Sequence, residues 1–282
     1  MRAANGLPRR ALAQAARRSG GRVLVAIGGS TVPGGIFGAI AASPSALRRF
    51  ADGVARFVVD GGYDGVDLDW EFPGPSERAR HVELVRAVRS RLQAVFAEER
   101  RARRPVVVAG VTAGAHLEGY DFPALAREVD YVIQFGYDFR NPALGPWAHT
   151  AKLWPDRAKQ PIEASVRGVA SQIVRRGMPR EKLVIGLPFY ASDGRPWLEV
   201  RERALAERAP PHPLYLESEV GGAWITGPAA LEAKARRILF GRDIAGGGAA
   251  GVALWQLGHQ GPFRDLTEAL RRALRSGERE PR

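Results

Sequence analysis

The chain has 282 residues, 45% hydrophobic and 26% charged, and its 42 basic side chains outnumber its 30 acidic ones for a net charge of +12. This composition is typical of a globular protein and excludes a disordered or collagen-like chain. The absence of cysteine excludes disulfides and thiolate chemistry. No apolar run reaches the roughly 18 residues of a membrane span, and no signal peptide is visible at the N-terminus. All but four of the basic residues are arginines dispersed among acidic ones, which favours a solvated surface over a nucleic-acid-binding face.

Short apolar runs alternate with longer stretches rich in Ala, Leu, Arg and Glu. The short runs predict buried parallel strands and the longer ones amphipathic helices, an alternation typical of βαβ units. The predicted strands cover residues 22–28, 65–71, 105–111, 131–137, 183–189 and 249–256. The predicted helices cover residues 8–19, 45–60, 76–102, 122–128, 160–177, 229–241 and 263–275. Within a single domain of residues 1–282, the stretch 190–248 is interpreted as an enlarged loop or small insertion that ends in the crossover helix.

The most informative segment is the acidic strand Asp64–Glu71. Alternation of side chains along a strand places Asp67, Asp69 and Glu71 on one face and the apolar residues between them on the other. Carboxylates about 6–7 Å apart in a partly buried site resist joint ionisation, so at least one pKa should rise and suit general acid catalysis. Glu71 comes last, at the strand end where barrel active sites are built. The interleaved apolar residues argue against a solvent-facing acidic strand, while a divalent metal site stays open as an alternative.

The spacing Asp64-x-x-Asp67-x-Asp69-x-Glu71 resembles the DxxDxDxE signature of glycoside hydrolase family 18, the chitinase family. Four other segments resemble that family in chain order: Val23–Gly29, with Ala26 where its SxGG strand has Ser; Phe135–Asp138, with Phe where its MxYD motif has Met; Lys182–Tyr190; and Gly251–Gln256. The resemblance covers about residues 20–260. Loss of the Ser at Ala26 removes a hydrogen bond near the carboxylates and should shift their pKa values.

The resemblance implies a (β/α)8 barrel that cleaves β-1,4-linked N-acetylglucosamine polymers with retention, without a nucleophile from the enzyme. It implies that Glu71 protonates the glycosidic oxygen and later activates water. Asp69 would orient the acetamido group of the substrate, whose oxygen attacks the anomeric carbon, and Asp67 would share a proton with Asp69. No metal and no cofactor is implied.

The resemblance also implies contacts to the sugar. Tyr137 would hydrogen-bond the acetamido group beside Asp138, and Trp255 would stack on the sugar in the cleavage subsite. Five aromatic residues could extend a sugar platform or instead serve in packing: Trp70, Trp147, Tyr190, Trp197 and Trp224. The motif residues expected to be structural are Asp64, Gly28 and Gly29.

Six predicted strands are fewer than the eight that close a barrel of this type. We therefore expect a (β/α)8 barrel incomplete at the N-terminus, with about six βα units. Because an open sheet exposes its edges, the chain alone is expected to be poorly soluble or inactive and to be restored by upstream coding sequence. The expected partner of this monomer is a carbohydrate, with no nucleic acid and no membrane. The chain itself leaves the location open, and the family implies an extracellular one if a preceding segment carries a signal.

The leading interpretation is a chitinase-type endo-β-N-acetylglucosaminidase. The stretch 190–248 looks shorter than the insertion domain of some family members, which predicts a shallow cleft and cleavage within chains. The alternatives are a hydrolase of another N-acetylglucosamine glycan (peptidoglycan or N-glycan), a non-catalytic chitin-binding lectin and an inactive fragment. The presence of Glu71 favours an enzyme over a lectin.

Overall fold

The computed structural model describes residues 9–33, 35–112, 114–139, 165–207 and 217–277. The strands are β1 (Leu24–Gly28), β2 (Gly65–Asp69), β3 (Val106–Val111), β4 (Tyr131–Gln134), β5 (Leu183–Pro188), β6 (Ser218–Val220), β7 (Ala223–Ile225) and β8 (Gly251–Trp255). The α-helices are α1 (Arg9–Arg18), α2 (Ile36–Ala42), α3 (Pro44–Asp60), α4 (Arg78–Glu98), α5 (Phe122–Glu128), α6 (Val166–Arg175), α7 (Trp197–Glu207), α8 (Pro228–Phe240) and α9 (Asp265–Gly277).

The six predicted strands form one sheet with the order β1-β2-β3-β4-β5-β8, while β6 and β7 make a separate antiparallel pair. The pairs β1–β2, β2–β3 and β5–β8 are parallel, and each large-sheet strand is one to three residues shorter than predicted. The register of β1 on β2 sets Ala26 opposite Asp67 and Gly28 opposite Asp69. Strand and helix alternate along the chain, as the apolar pattern predicts.

The chain divides into two compact units, one of residues 1–110 and 118–132 and the other of residues 111–117 and 133–282. In the first unit, α3 packs against α4 and contacts β2. The two helices bury Val54, Val58, Val85 and Val88 completely. These residues recur at helical spacing, so their apolar faces account for the predicted amphipathic pattern.

In the second unit, α8 packs against α9 and contacts β8. Trp197 at the start of α7 is fully buried, and its indole N–H donates to Asp265 at 3.0 Å. The ammonium of Lys234 on α8 is likewise buried and donates to the Thr226 hydroxyl at 2.9 Å, near the buried Glu217. Burial lowers the pKa of Lys234 to about 8, and the charge of Glu217 opposes that shift.

Several helix and loop predictions need correction. The stretch 190–248, interpreted as an enlarged loop or small insertion, carries α7 and the β6–β7 hairpin ahead of α8, and these elements were not predicted individually. Helix α2 was not predicted, because its seven residues lack a polar face. The predicted helix 76–102 is shorter, since a 3₁₀ turn at Pro75–Glu77 precedes α4. Residues 160–164 of another predicted helix lie outside the described residues. Among the helices described, none is both long and apolar enough to cross a membrane.

Arginines on the helix surfaces form ion pairs with neighbouring acidic residues. Three of these pairs join adjacent helices of one unit: Arg91 to Asp52 at 2.7 Å, Arg86 to Glu128 at 2.8 Å and Arg272 to Glu232 at 2.6 Å. Because water and salt screen exposed charges, each pair of this kind contributes little to stability. These arginines are dispersed over the helices and paired with acidic side chains, as the sequence predicts for a solvated surface.

Candidate active site

The acidic strand has the alternation that its sequence predicts. Val66, Leu68 and Trp70 are buried, whereas Asp67 and Asp69 on the other face are only partly covered. Glu71 lies two residues beyond the end of β2 and has a hydrogen bond with Asp69. The carboxylates of Asp67 and Asp69 therefore share one face of the strand, and Glu71 lies beside Asp69 at its end.

Trp70 lies in the core with only 2% of its surface exposed. Its indole stacks on Phe37, with 5.5 Å between ring centroids, and meets His81 edge-on at 5.6 Å. The predicted part of Trp70 in a sugar platform is wrong, because a side chain on the helix-covered face cannot reach a ligand. The ring instead supports the strand segment that carries Asp69 and Glu71.

Two glycines bring the end of β1 close to Asp69. Gly28 and Gly29 have φ values of 121° and 94°, in the left-handed region that disfavours other residues. A Cβ on Gly28 would overlap the carbonyl oxygen of Asp69, and the backbone N–H of Gly29 donates to that oxygen at 2.8 Å. The next residue, Ser30, donates its backbone N–H to the Glu71 carboxylate.

Asp64 lies at the opposite end of β2 from Glu71. Its carboxylate accepts a hydrogen bond from the backbone N–H of Val23 at 2.9 Å, and its own N–H donates to the Val23 carbonyl at 2.7 Å. Asp64 thereby ties the starts of β1 and β2 together. This contact is structural, in keeping with the place expected for Asp64.

The carboxylates of the acidic strand have raised pKa values. Burial and, to a smaller extent, the charge of Asp69 raise the pKa of Asp67 to about 7. Burial, the charge of Asp69 and a hydrogen bond with Asp69 raise the pKa of Glu71 to about 7, although the Ser30 N–H opposes this shift. Burial also raises the pKa of Asp69, against the hydrogen bond with Glu71. Near neutral pH the array therefore holds protons that isolated carboxyls would have lost.

Two carboxylate oxygens in this array are buried without a hydrogen-bond partner among the described residues: Oδ1 of Asp67 and Oδ1 of Asp69. Ala26, the register partner of Asp67 on β1, offers no donor there. The position where Ala26 replaces the Ser of the family motif therefore pairs with the residue whose Oδ1 lacks a hydrogen bond, Asp67. Within the described ranges, no group of three His, Asp or Glu side chains is arranged to hold a metal ion.

The second unit holds a cluster of polar aromatic residues. The Tyr190 hydroxyl donates to Asp138 Oδ1 at 2.9 Å, and the Tyr190 ring lies edge-on to Tyr137, with centroids 6.1 Å apart. Tyr137 follows β4 and occupies space that a side chain at Gly186 on β5 would fill. His259, which the sequence analysis missed, also lies edge-on to Tyr190 at 5.9 Å. The signal that the sequence offered was its position four residues after Trp255, close to the end of the last strand.

Trp255 ends β8 with 53% of its surface exposed, so its ring is open to solvent. Trp224 is half-buried, and its backbone N–H donates to the Ser192 hydroxyl at 2.9 Å, so its segment is anchored to the loop after β5. Trp197, fully buried beside Asp265, cannot serve as a platform. Trp147 lies outside the described residues.

A family model described as Glycosyl hydrolases family 18 matches residues 6–208. A probable endochitinase of Caenorhabditis elegans is 31% identical over 184 residues, which are 62% of this chain and 29% of that protein. A mouse chitotriosidase-1 is 28% identical over 60% of this chain and 38% of its own length. The matched region thus spans less than half of these curated relatives. The resemblance read from the acidic strand is confirmed.

Solved chitinase structures share the fold. The chitinase TsES1 of Trichuris suis superimposes with a TM-score of 0.79 at 20% identity, over 93% of this chain and 83% of that one. A class V chitinase of tobacco, solved as a mutant in complex with NAG4, gives a TM-score of 0.76 at 20% identity, over 94% and 84% of the two chains. The predicted fold class, of (β/α)8 type with about six βα units present, is confirmed.

Proposed function

We propose that this chain, which belongs to glycosyl hydrolase family 18, hydrolyses β-1,4-linked N-acetylglucosamine polymers such as chitin, cutting within the chains. The observation that carries this proposal is the state of Glu71. Its carboxyl has a pKa raised to about 7 and a hydrogen bond with Asp69, two residues beyond the end of β2. A carboxyl that keeps its proton near neutral pH can act as a general acid.

In the proposed reaction, Glu71 gives its proton to the glycosidic oxygen as the bond between that oxygen and the anomeric carbon breaks. The acetamido oxygen of the same sugar attacks the anomeric carbon and forms an oxazolinium ion. Water then attacks this carbon, opens the ring and returns a proton to Glu71, so the configuration is retained. Asp69 orients the acetamido group and balances its positive charge, while Asp67 shares a proton with Asp69.

Within the second unit, two aromatic side chains are proposed to contact a sugar. Tyr137 does so through its hydroxyl, and Trp255 through its exposed ring, which stacks on a sugar face. The bond from the Tyr190 hydroxyl to Asp138 supports a fixed position for both side chains. Asp138 contacts a sugar hydroxyl, with Tyr190 beside it.

Two other outcomes are kept as candidates. A sugar-binding function without hydrolysis is the second candidate, favoured by the exposed ring of Trp255, which can bind a sugar whether or not Glu71 acts as an acid. A different N-acetylglucosamine glycan, such as peptidoglycan or an N-glycan, would fit the same acetamido chemistry.

The test compares hydrolysis of a chromogenic chito-oligosaccharide by the parent chain and by Glu71→Gln. Because general acid–base catalysis contributes about 10²–10⁴-fold, Glu71→Gln should lower kcat by that factor and leave binding intact. Glu83→Gln, which changes an exposed carboxylate on α4, is the matched control and should behave like the parent.

Three results would contradict the proposal in different ways. Chito-oligosaccharide binding by the parent without hydrolysis would identify a lectin. Equal kcat for the parent and Glu71→Gln would show that Glu71 is not the general acid. Hydrolysis of peptidoglycan or N-glycan but not of chito-oligosaccharides would show that the substrate is another N-acetylglucosamine glycan and not chitin.

A further inference from the structure

The segment that follows β8 presents an amide between two exposed apolar side chains. Trp255 and Leu257 have 53% and 59% of their surfaces exposed, and Gln256 between them is exposed as well. An exposed aromatic ring and an exposed side-chain amide on neighbouring residues are groups that a sugar can use, since a sugar offers an apolar face together with hydroxyl and amide donors.

The amide of Gln256 is held by His259. The Gln256 Nε2 atom lies 3.3 Å from the His259 Nε2 atom. Because an amide nitrogen can only donate, the ring nitrogen accepts this bond. The backbone carbonyl oxygen of Gln256 accepts from the His259 N–H at 2.9 Å, whereas its side-chain oxygen, Oε1, takes no hydrogen bond from any group in the described part of the chain. It is therefore available to accept one from a ligand.

His259 is itself held in place by the polar aromatic cluster. Its ring packs edge-on against Tyr190 at 5.9 Å, and the hydroxyl of Tyr190 donates to Asp138 at 2.9 Å. The Nδ1 atom of His259 is buried and has no hydrogen-bond partner among the residues described. The ring of His259 makes its hydrogen bond to Gln256. Because packing against Tyr190 holds this ring in place, the ring also holds the Gln256 amide in place.

We propose that Gln256 is a further sugar-binding residue, which accepts a hydrogen bond from a hydroxyl or acetamido N–H of the sugar that lies on Trp255. His259 is a positioning residue that acts through Gln256. This inference rests on the proposed function, since it takes its ligand to be a chito-oligosaccharide. It goes further by naming the residue that selects for a donor group beside the stacked ring.

The experiment measures binding separately from hydrolysis. In a Glu71→Gln background, calorimetric titration with a chito-tetrasaccharide gives Kd for Gln256→Ala, His259→Ala and the double variant. One neutral hydrogen bond is typically worth about 0.5–1.5 kcal/mol, so Gln256→Ala should raise Kd about 2–12-fold. His259→Ala should raise Kd by a similar factor, and the double variant should be no weaker than Gln256→Ala.

A structural effect alone would give another pattern. His259→Gln, whose side-chain oxygen can also accept from the Gln256 amide, should restore most of the affinity that His259→Ala loses. Glu268→Ala, an exposed change on α9, should leave Kd unaltered, and thermal unfolding confirms that each variant folds.

The results that overturn this inference differ from those that overturn the proposed function. Parent-like Kd for Gln256→Ala, or additive losses in the double variant, would refute it even if the chain hydrolyses chitin. Failure of the Glu71→Gln chain to bind the chito-tetrasaccharide would refute both the inference and the substrate. Binding that depends on Gln256 in a parent chain without hydrolysis would support the inference and reject the enzyme.

Discussion

The substitution Ala26→Ser should lower the pKa of Asp67. Ala26 is exposed and pairs in register with Asp67, on a strand about 4.8 Å away, and Oδ1 of Asp67 is buried without a partner among the described residues. A serine hydroxyl at this position can donate to that oxygen. A hydrogen bond to a charged group contributes about 1.5–3 kcal/mol, and one pKa unit corresponds to about 1.4 kcal/mol. The pKa of Asp67 should therefore fall from about 7 to about 5–6.

The same substitution should change how stability depends on pH. Because the pKa of Asp67 in the folded chain lies above its ordinary value, the contribution of Asp67 is full below pH about 4 and is lost as pH rises to about 7. Ala26→Ser should reduce this loss by about 1.5–3 kcal/mol, so its Tm should exceed that of the parent at pH 8 and match it at pH 3.5.

Carbon-detected NMR titration of the Asp67 carboxyl and thermal unfolding at both pH values make the two measurements. Ala253→Ser, which adds the same hydroxyl to β8, is the control and should leave the titration of Asp67 unchanged. A folded Ala26→Ser chain in which Asp67 still titrates near 7 would refute the link between the missing hydroxyl and the raised pKa.

Three other predictions concern the first unit. The pKa of Glu71 is raised to about 7, so kcat/KM for chito-oligosaccharide hydrolysis should fall as pH rises above 7, because the general acid loses its proton; a rate that keeps rising to pH 9 would contradict this. Burial lowers the pKa of His81 to about 4, so the contribution of His81 to stability should fall by about 3 kcal/mol as pH falls from 6.5 towards 4, against the opposite contributions of Asp67 and Glu71. His81→Phe should therefore raise stability at pH 4 relative to pH 6.5 by about this amount in unfolding experiments, and an equal pH dependence of the parent and the variant would show that His81 does not cause the effect. Gly28→Ala should destabilise the chain by about 2 kcal/mol or more, since its Cβ would overlap Asp69, whereas Gly20→Ala, at a left-handed φ with open space around it, should cost less in the same denaturant titration.

The acidic strand could be predicted because its information is local. Strand alternation alone places Asp67 and Asp69 on one face and Trp70 on the other, and the burial of these side chains agrees. The assignment of Trp70 to a sugar platform failed, although the same alternation argued against it. A motif gives residue types, whereas exposure depends on what packs against the residue, here Phe37 and His81.

Other features depend on contacts between distant residues and could not be predicted. The stretch 190–248 reads as loop because α7 and the β6–β7 hairpin are short and gain stability from burial, as the fully buried Trp197 shows. The place of His259 beside Tyr190 joins positions 69 residues apart. The unsatisfied oxygen of Asp67 needed the register of β1 on β2, even though the absence of Ser at position 26 pointed to it.

The arginine-rich surface described above has a consequence for measuring protons. A guanidinium keeps its proton beyond pH 12, so nearly all of the 42 basic side chains carry a constant charge between pH 5 and 9. In this range the folded chain exchanges protons at the buried Lys234, with a pKa of about 8, and at Asp67 and Glu71, with pKa values of about 7. The guanidinium charges do not change over this range, so protons taken up or released by the acidic strand on binding a sugar are measured against a constant arginine background.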